Sequence, residues 1–474
     1  MPTGAAVTEG EHTRGFRSLE EELHVDSLPV EGELPRWLRG DLTRVTPALL
    51  DVGGVPLRHW FDGLAMLNAF RLGGGEVGYA SRFLQSETYK RAREGRFEAW
   101  GFGQDPCRSL FGRMTAAFSA PENDNANVNL TRLGDRYLAM TELPVPVEFD
   151  GDSLETVGAT RWKDRIGGAV GSAHPHHDPA ADELISYVVD FSARSTYKLF
   201  AVPAGSASRR LIATIPAGRE PSYIHSIAMT ERFLVLVEWP LVLDPLRMIA
   251  RGGAFMDNMR WRPERGSRFH VVDRHSGRAV TTSQGEAFFC FHHINAFEEG
   301  DEVVVDLCAY ADASIIGALK LDSLRAGQGA LPPAHPRRYR VPLGGGDTRA
   351  EALSDESLEL PRIDYGGRNG RPYRYVYGAG SSDWLDRVVK LDVETGETLR
   401  WVQEGCYPGE PVFAPRPGGK AEDDGVLLSL VLDAAAGRSF LAVLDAGTLE
   451  EVARAEAPHV IPFGFHGQYF GKSG

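Results

Sequence analysis

The sequence predicts an all-β protein with a β-propeller architecture, and three observations carry that prediction. Strand-length apolar or alternating runs recur along the chain, and a hairpin pattern repeats among them. The composition, with Gly 53 and Pro 29 in 474 residues, supplies the turns that many short strands need. Helix-dominated folds are disfavoured on the same grounds.

In chain order the runs are Tyr137–Met140, Leu184–Val189, Phe233–Val237, Val303–Leu307, Tyr373–Tyr377, Val388–Val393, Val426–Leu432 and Phe440–Leu444. Each is bounded by Gly, Pro, Asp or Asn. VVDRHSGRAV at 271–280, KLDVETGETLRW at 390–401 and VLDAGTLEEVAR at 443–454 share one grammar: a strand ending in Asp, a turn, then a second strand. Repeated hairpins without intervening helices suit a propeller, whose radial repetition leaves only short protected edges. The repeat is too degenerate to number the blades. The chain reads as one domain, 1–474, with an acidic N-terminal extension (1–30) lying along the outside. Stretches 328–351 and 414–424 read as surface loop insertions, because hairpin grammar resumes after each.

A formal net charge of −14 lacks the basic footprint that a nucleic-acid partner requires. The four cysteines, Cys107, Cys290, Cys308 and Cys406, form no CxxC pair, which argues against a zinc ribbon or a disulfide scaffold and for reduced thiols. The N-terminus has no basic region followed by an apolar run, and no window approaches 18 continuous apolar residues. A cytoplasmic protein is expected.

The chemistry lies in the histidines. SAHPHHDP holds His174, His176 and His177, and on a strand the first two would point to one face. Alone, this cluster is a weak metal signal. Three further segments change the reading: PSYIHSIAMTERFLVLVEW around His225, FCFHHINAFEEGDEVVVD around His292 and VIPFGFHGQYF around His466. Each sets a His beside apolar or aromatic residues at one end of a strand, and strands from different blades converge on a propeller's axis. Distance in sequence is therefore no objection.

These segments closely resemble the histidine motifs of the carotenoid cleavage oxygenases. The resemblance extends through LPRWLRGDLTRVTPALLDVG (34–53), HWFDGLAMLNAF (59–70), NDNANVNL (123–130), LELPRIDYGGRNGRPYRYVYG (358–378) and WVQEGCYPGEPVF (401–413), in family order. It implies a seven-bladed propeller whose loops and short helices cap an axial iron site. It places one Fe(II) on His174, His225, His292 and His466, with O2 as co-substrate. His292 takes the role over the adjacent His293 because the family ligand directly follows the aromatic residue, here Phe291. Glu142, Glu359 and Glu410 match the carboxylates that accept the ligand rings' protons, although any one Glu in isolation reads as a surface charge.

The resemblance further implies oxidative cleavage of a conjugated C=C bond in an apolar polyene held in a tunnel. Val128 matches a position crowding an open iron site, and Phe61, Tyr223 and Phe291 match tunnel or near-iron positions; each aromatic reads equally as core packing. Thr141 stands where stilbene-cleaving members carry Lys, which favours a carotenoid or apocarotenoid, with retinal-like products, over a phenolic stilbene. Stilbene cleavage remains the alternative, followed by retinoid isomerisation or hydrolysis, and a non-catalytic binding propeller is a third reading. DPCRSLFGRMTAAF at 105–118 places Leu110, Phe111, Met114 and Phe118 at near-helical spacing with Arg108 and Arg113 among them. That pattern fits peripheral membrane contact at the tunnel mouth, and equally a short helix packed on the propeller.

Overall fold

The computed structural model describes residues 11–96, 101–105, 123–327 and 329–472. Seven antiparallel sheets form the blades of a propeller. From the axis outward, blade 1 holds Gly467–Gly471, Gly40–Leu49, Leu64–Gly73, Glu76–Phe83 and His24–Val25. Blade 2 spans Asn129–Leu133 to Thr156–Ala159. In blade 3, Val170–Gly171 and His176–Asp178 both pair with Glu183–Asp190, and Arg210–Gly218 is outermost. Blades 4, 5 and 6 begin at Ala228–Met229, Phe289–Glu299 and Glu359–Arg362. Blade 7 runs from Cys406–Pro408 and Val412–Pro415 out to Glu451–Glu456 and Val30–Gly32.

Both ends of the chain close the ring. Gly467–Gly471 pairs with Gly40–Arg44 in blade 1, while Val30–Gly32 pairs with Ala453–Ala455 in blade 7. The strands near the axis are buried on both faces, so Phe233–Glu238 and Val303–Tyr310 read as nearly continuous apolar runs. The outermost strands alternate: in Arg210–Gly218 every second residue from Ala213 faces inward.

The three hairpin turns form as their chemistry dictates. Asp273, Asp392 and Asp445 each turn a carboxylate oxygen onto backbone N–H groups of their own turn, at 2.9 Å to Ser276, 3.0 Å to Glu394 and 2.9 Å to Gly447. In the first two, Gly277 and Gly396 take the positive φ that the turn requires.

Two expectations need correction. The stretch 328–351 is more than an inserted loop, because His335–Pro342 is the third strand of blade 5 and Arg349 opens the fourth. Its buried residues, Pro336, Tyr339 and Val341, are interrupted by Arg337, Arg338 and Arg340, which are paired with Glu286, Asp306 and Glu299. The N-terminal extension also does more than line the outside: Phe16 is fully buried, its ring 4.9 Å from Trp384 and 5.2 Å from Phe463. Burying such a side chain stabilises by roughly 1.5–3 kcal/mol and fastens the extension to the cap.

The cap over one end of the axis is made of short pieces. The turn Trp60–Asp62, Phe102, Phe255 and the helix Ser314–Ala318 meet above the centre. Among the described residues, no helix is long and apolar enough to cross a membrane.

Candidate metal centre

The innermost strand of each blade, or the residues beside it, delivers the site. His174 comes from blade 3, His225 from blade 4, His292 from blade 5 and His466 from the segment entering blade 1. Glu359 opens blade 6 and Glu410 lies between the two inner strands of blade 7, while Glu142 follows the second strand of blade 2. The four imidazoles meet so that one ligating atom of each lies within 4.8 Å of all the others.

Local irregularities aim these rings. His174 sits on the break between Val170–Gly171 and His176–Asp178, made by Pro175, with its N–H on Ser172 Oγ at 2.9 Å. The break separates two rings that a regular strand would have kept together: His176 donates from Nε2 to Ile227 O at 2.9 Å, outside the cluster. In blade 5, ladder irregularities between Cys290 and His293 and between His293 and Asn295 send His292 to the axis. His293 instead faces Ser226, with Nδ1 2.8 Å from its Oγ. Serine hydroxyls fix neighbouring blades together: Ser172 donates to His225 O and Ser226 to Phe291 O, each at 2.7 Å.

Three rings are held from behind by carboxylates. His225 Nδ1 donates to Glu142 at 2.7 Å, His292 Nδ1 to Glu359 at 2.5 Å and His466 Nδ1 to Glu410 at 2.7 Å. Among the described residues no carboxylate bonds His174; Asn129 Nδ2 lies 3.4 Å from its Nδ1. The carboxylates differ in their own support. Glu142 receives the Tyr223 hydroxyl at 2.5 Å, and Glu359 the Leu360 N–H at 2.8 Å. Glu410 receives Arg362 Nε at 2.8 Å and Gly467 N–H at 2.9 Å, with Arg44 Nη1 3.6 Å away.

Burial lowers the pKa of His174 strongly, reinforced by the other three rings, and lowers that of His225 and, to about 4, that of His466 despite their carboxylates. These three rings are therefore neutral, as metal ligands must be. Burial would raise Glu410, but Arg362 and His466 hold it well below the usual carboxylate range; Glu359 is likewise lowered, against burial, by His292.

This arrangement fits a metal cation. His292 and His466 both spend their Nδ1 proton on a carboxylate, so both Nε2 atoms are bare lone pairs, and they lie 3.1 Å apart. His174 and His225 Nε2 lie 3.0 Å apart. Facing lone pairs repel, whereas a cation bonded at about 2.1 Å can reach both members of such a pair.

Two chambers meet at the centre. On the cap side, Trp60, Phe61, Val128, Phe291, Leu319 and Phe465 wall an apolar cavity that also reaches Thr141. On the other side, Asn129, His176, His293, Arg362, Tyr365 and Gln468 line a polar one. His292 and His466 border both. Of the expected tunnel residues, Phe61, Val128, Thr141 and Phe291 face the apolar cavity, but Tyr223 does not; it is buried behind His225 as the donor to Glu142. Leu110, Phe111, Met114 and Phe118 lie outside the described residues. Sequence reasoning missed Arg362 and Arg44. Arg362 stands three residues after Glu359 in a segment already singled out, and Arg44 is a cation within the wholly buried strand Gly40–Leu49, a placement that demands a partner.

A seven-bladed propeller closing on four imidazoles, three of them buried, with no carboxylate in the cluster among the described residues, defines a distinct class of propeller whose axis could hold a metal ion. Residues 16–471 match the family model described as Retinal pigment epithelial membrane protein, RPE65. The chain is 35% identical to the mitochondrial carotenoid-cleaving dioxygenase of Mustela putorius furo over 95% of both chains. It is also 35% identical to the carotenoid isomerooxygenase of Galleria mellonella, over 96% of this chain and 95% of that one. Among solved structures, cobalt-substituted Synechocystis ACO superposes with a TM-score of 0.86 at 28% identity, covering 98% of each chain. An ACO/RPE65 chimera gives 0.86 at 27% identity with the same coverage. The chain belongs to the retinal pigment epithelial membrane protein family, the carotenoid oxygenases that its motifs resemble, and is a dioxygenase of that family.

Proposed function

We propose that the chain binds one Fe(II) through His174, His225, His292 and His466 and cleaves a conjugated C=C bond of a carotenoid or apocarotenoid with O2. The observation that carries this reading is the pair of bare Nε2 atoms 3.1 Å apart on His292 and His466, each held in that tautomer by a glutamate. The iron would supply the redox-active position at which O2 is engaged. One C=C bond is broken, the two oxygen atoms end one in each carbonyl product, and no external reductant is needed.

The protein's contribution is positioning. Phe61, Val128, Phe291 and Phe465 present an apolar wall beside the imidazoles, which excludes water and accepts a hydrocarbon chain rather than a polar substrate. Glu142, Glu359 and Glu410 fix the tautomer and orientation of three rings and offset the charge of the ion. Thr141, on the cavity wall, offers no cation to a phenolic oxygen. The products would be aldehydes or ketones, retinal-like where the cut falls near the middle of the polyene. A water-insoluble substrate of this kind suits an enzyme that works at a membrane surface, with Leu110, Phe111, Met114 and Phe118 as candidate contacts.

The test is anaerobic Fe(II) loading, exposure to 18O2, and mass spectrometry of products from β-apocarotenals, β-carotene and hydroxystilbenes. Labelled aldehydes from the carotenoid substrates support the reading. Turnover confined to stilbenes, or products without label, would overturn it.

A further inference from the structure

Blade 4 carries a long excursion between its second and third strands, Phe233–Glu238 and Ser267–Asp273, that lends Phe255 to the cap and supplies none of the four imidazoles or their glutamates. It contains a two-stranded ladder, Leu241–Leu243 with Met259–Trp261, and the helix Pro245–Arg251. Where it meets the end of blade 3, a concave pocket is lined by Arg219, Arg247, Arg260, Arg265 and Arg268, with Glu220 and Asp244.

The charges in this pocket do not cancel. Asp244 pairs with Arg219 at 3.0 Å and also caps the helix through the N–H groups of Leu246 and Arg247. Glu220 is shared between Arg265 at 3.5 Å and Arg262 at 3.2 Å, and Arg268 pairs with Glu238. Five guanidiniums thus face three carboxylates, one of which is also claimed by Arg262. The side chains of Arg247 and Arg260 make no hydrogen bond, ion pair or ring contact among the described residues. Arg260 is moreover half-buried. A chain with a net charge of −14 has here a local excess of positive charge in a concavity.

We infer that this pocket is a site for a phosphate group. Guanidinium forks match the planar pairs of oxygens that a phosphate presents, and they bind it bidentately. Two donors without protein acceptors leave room for a dianion or a phosphodiester, and the five guanidiniums outweigh the charge of the three carboxylates. Leu246, half-exposed at the pocket rim, places an apolar surface beside the charge. The phosphate can come from a phospholipid headgroup or from a soluble phosphorylated compound. The site is separate from the imidazoles and does not depend on the iron reading.

The experiment uses the full chain and two probes, inorganic phosphate followed by calorimetry and vesicles of phosphatidylcholine with or without phosphatidylglycerol followed by sedimentation. Wild type is expected to bind one probe or both, saturably and with affinity falling as salt rises. Binding by phosphatidylglycerol vesicles above that of inorganic phosphate assigns a lipid headgroup; saturable phosphate binding without vesicle capture assigns a soluble ligand. The Arg247→Gln/Arg260→Gln variant should lose about thirtyfold in vesicle affinity, at ~1 kcal/mol for each guanidinium, and Arg247→Lys/Arg260→Lys should retain most of it. Polyene turnover in detergent should be unchanged in both variants, which separates failure of this site from failure of the proposed reaction. Binding of neither probe by wild type, equal capture of both vesicle types without phosphate binding, or equal binding by wild type and the Gln variant of whichever probe wild type binds, overturns the assignment.

Discussion

Replacing Glu410 by Gln should damage the protein in a way that replacing Glu142 by Gln does not. Both carboxylates accept an imidazole proton at 2.7 Å, so both changes weaken the hold on one ligand ring and should cost about 10–100-fold in metal affinity. Their other partners differ. Glu142 is completed by the neutral Tyr223 hydroxyl, so its loss strands no charge, and the metal-free protein should lose only about 1–3 kcal/mol. Glu410 is 1% exposed and faces Arg44, also 1% exposed, and Arg362. Its neutralisation leaves Arg44 buried without a counter-charge, and breaking a buried ion pair costs roughly 3–5 kcal/mol. The metal-free Glu410→Gln protein should therefore unfold at clearly lower urea than metal-free Glu142→Gln. The assay is urea denaturation of both variants without metal, beside anaerobic Fe(II) titration of the folded proteins. Coincident unfolding midpoints would refute the idea that the Arg44–Glu410–Arg362 group carries structural weight of its own.

Three further outcomes are expected. His292→Ala should abolish stoichiometric metal binding, whereas His293→Ala should keep it, because His293 bonds Ser226 rather than joining the cluster; metal content after dialysis reads both. Tyr223→Phe should lower metal affinity about fivefold, the worth of one hydrogen bond of ~1 kcal/mol, without widening the apolar cavity, since Tyr223 does not line it; unchanged affinity would show that Glu142 needs no second donor. Asp62, on the cap, is pushed by burial up to about 7. Its folded value lies above its unfolded one, so the folded state holds the proton more tightly. The stability it contributes is complete below about pH 4 and is lost as pH rises through 7. Asp62→Asn should flatten thermal stability between pH 5 and 8, and parallel curves for variant and wild type would contradict this.

The sequence made the ligands legible because each histidine sits in a run whose neighbours are fixed by strand packing, so the motif survives as text. It did not show how the rings are aimed. His174 and His176 look equivalent under strand periodicity, and only the break at Pro175 parts them. His292 and His293 differ by an irregularity that no local pattern announces. Tyr223 was legible as an aromatic near the metal but not as a donor, since its target, Glu142, lies 81 residues away on another blade. The strand His335–Pro342 was obscured because its outward positions carry arginines that neutralise glutamates and an aspartate on neighbouring strands, which from sequence resembles a solvated loop.

Ring closure explains why the centre is most heavily braced at His466. That ligand arrives on the last inner strand, whose pairing with Gly40–Arg44 joins the two ends of the chain. Beside Glu410, which reaches His466 over 56 residues, two bonds of long sequence separation hold this segment: Arg44 Nη2 to Phe465 O over 421 residues and Arg362 to Gly467 O over 105. Contacts of such separation must offset the entropy of closing very large loops and form late in folding. Glu142, whose partners Tyr223 and His225 lie 81 and 83 residues away, is completed by a neutral tyrosine and has no part in that closure. At the closure two arginines converge on Glu410, so that the last strand, the fourth ligand and its carboxylate lock together as one charged, buried unit.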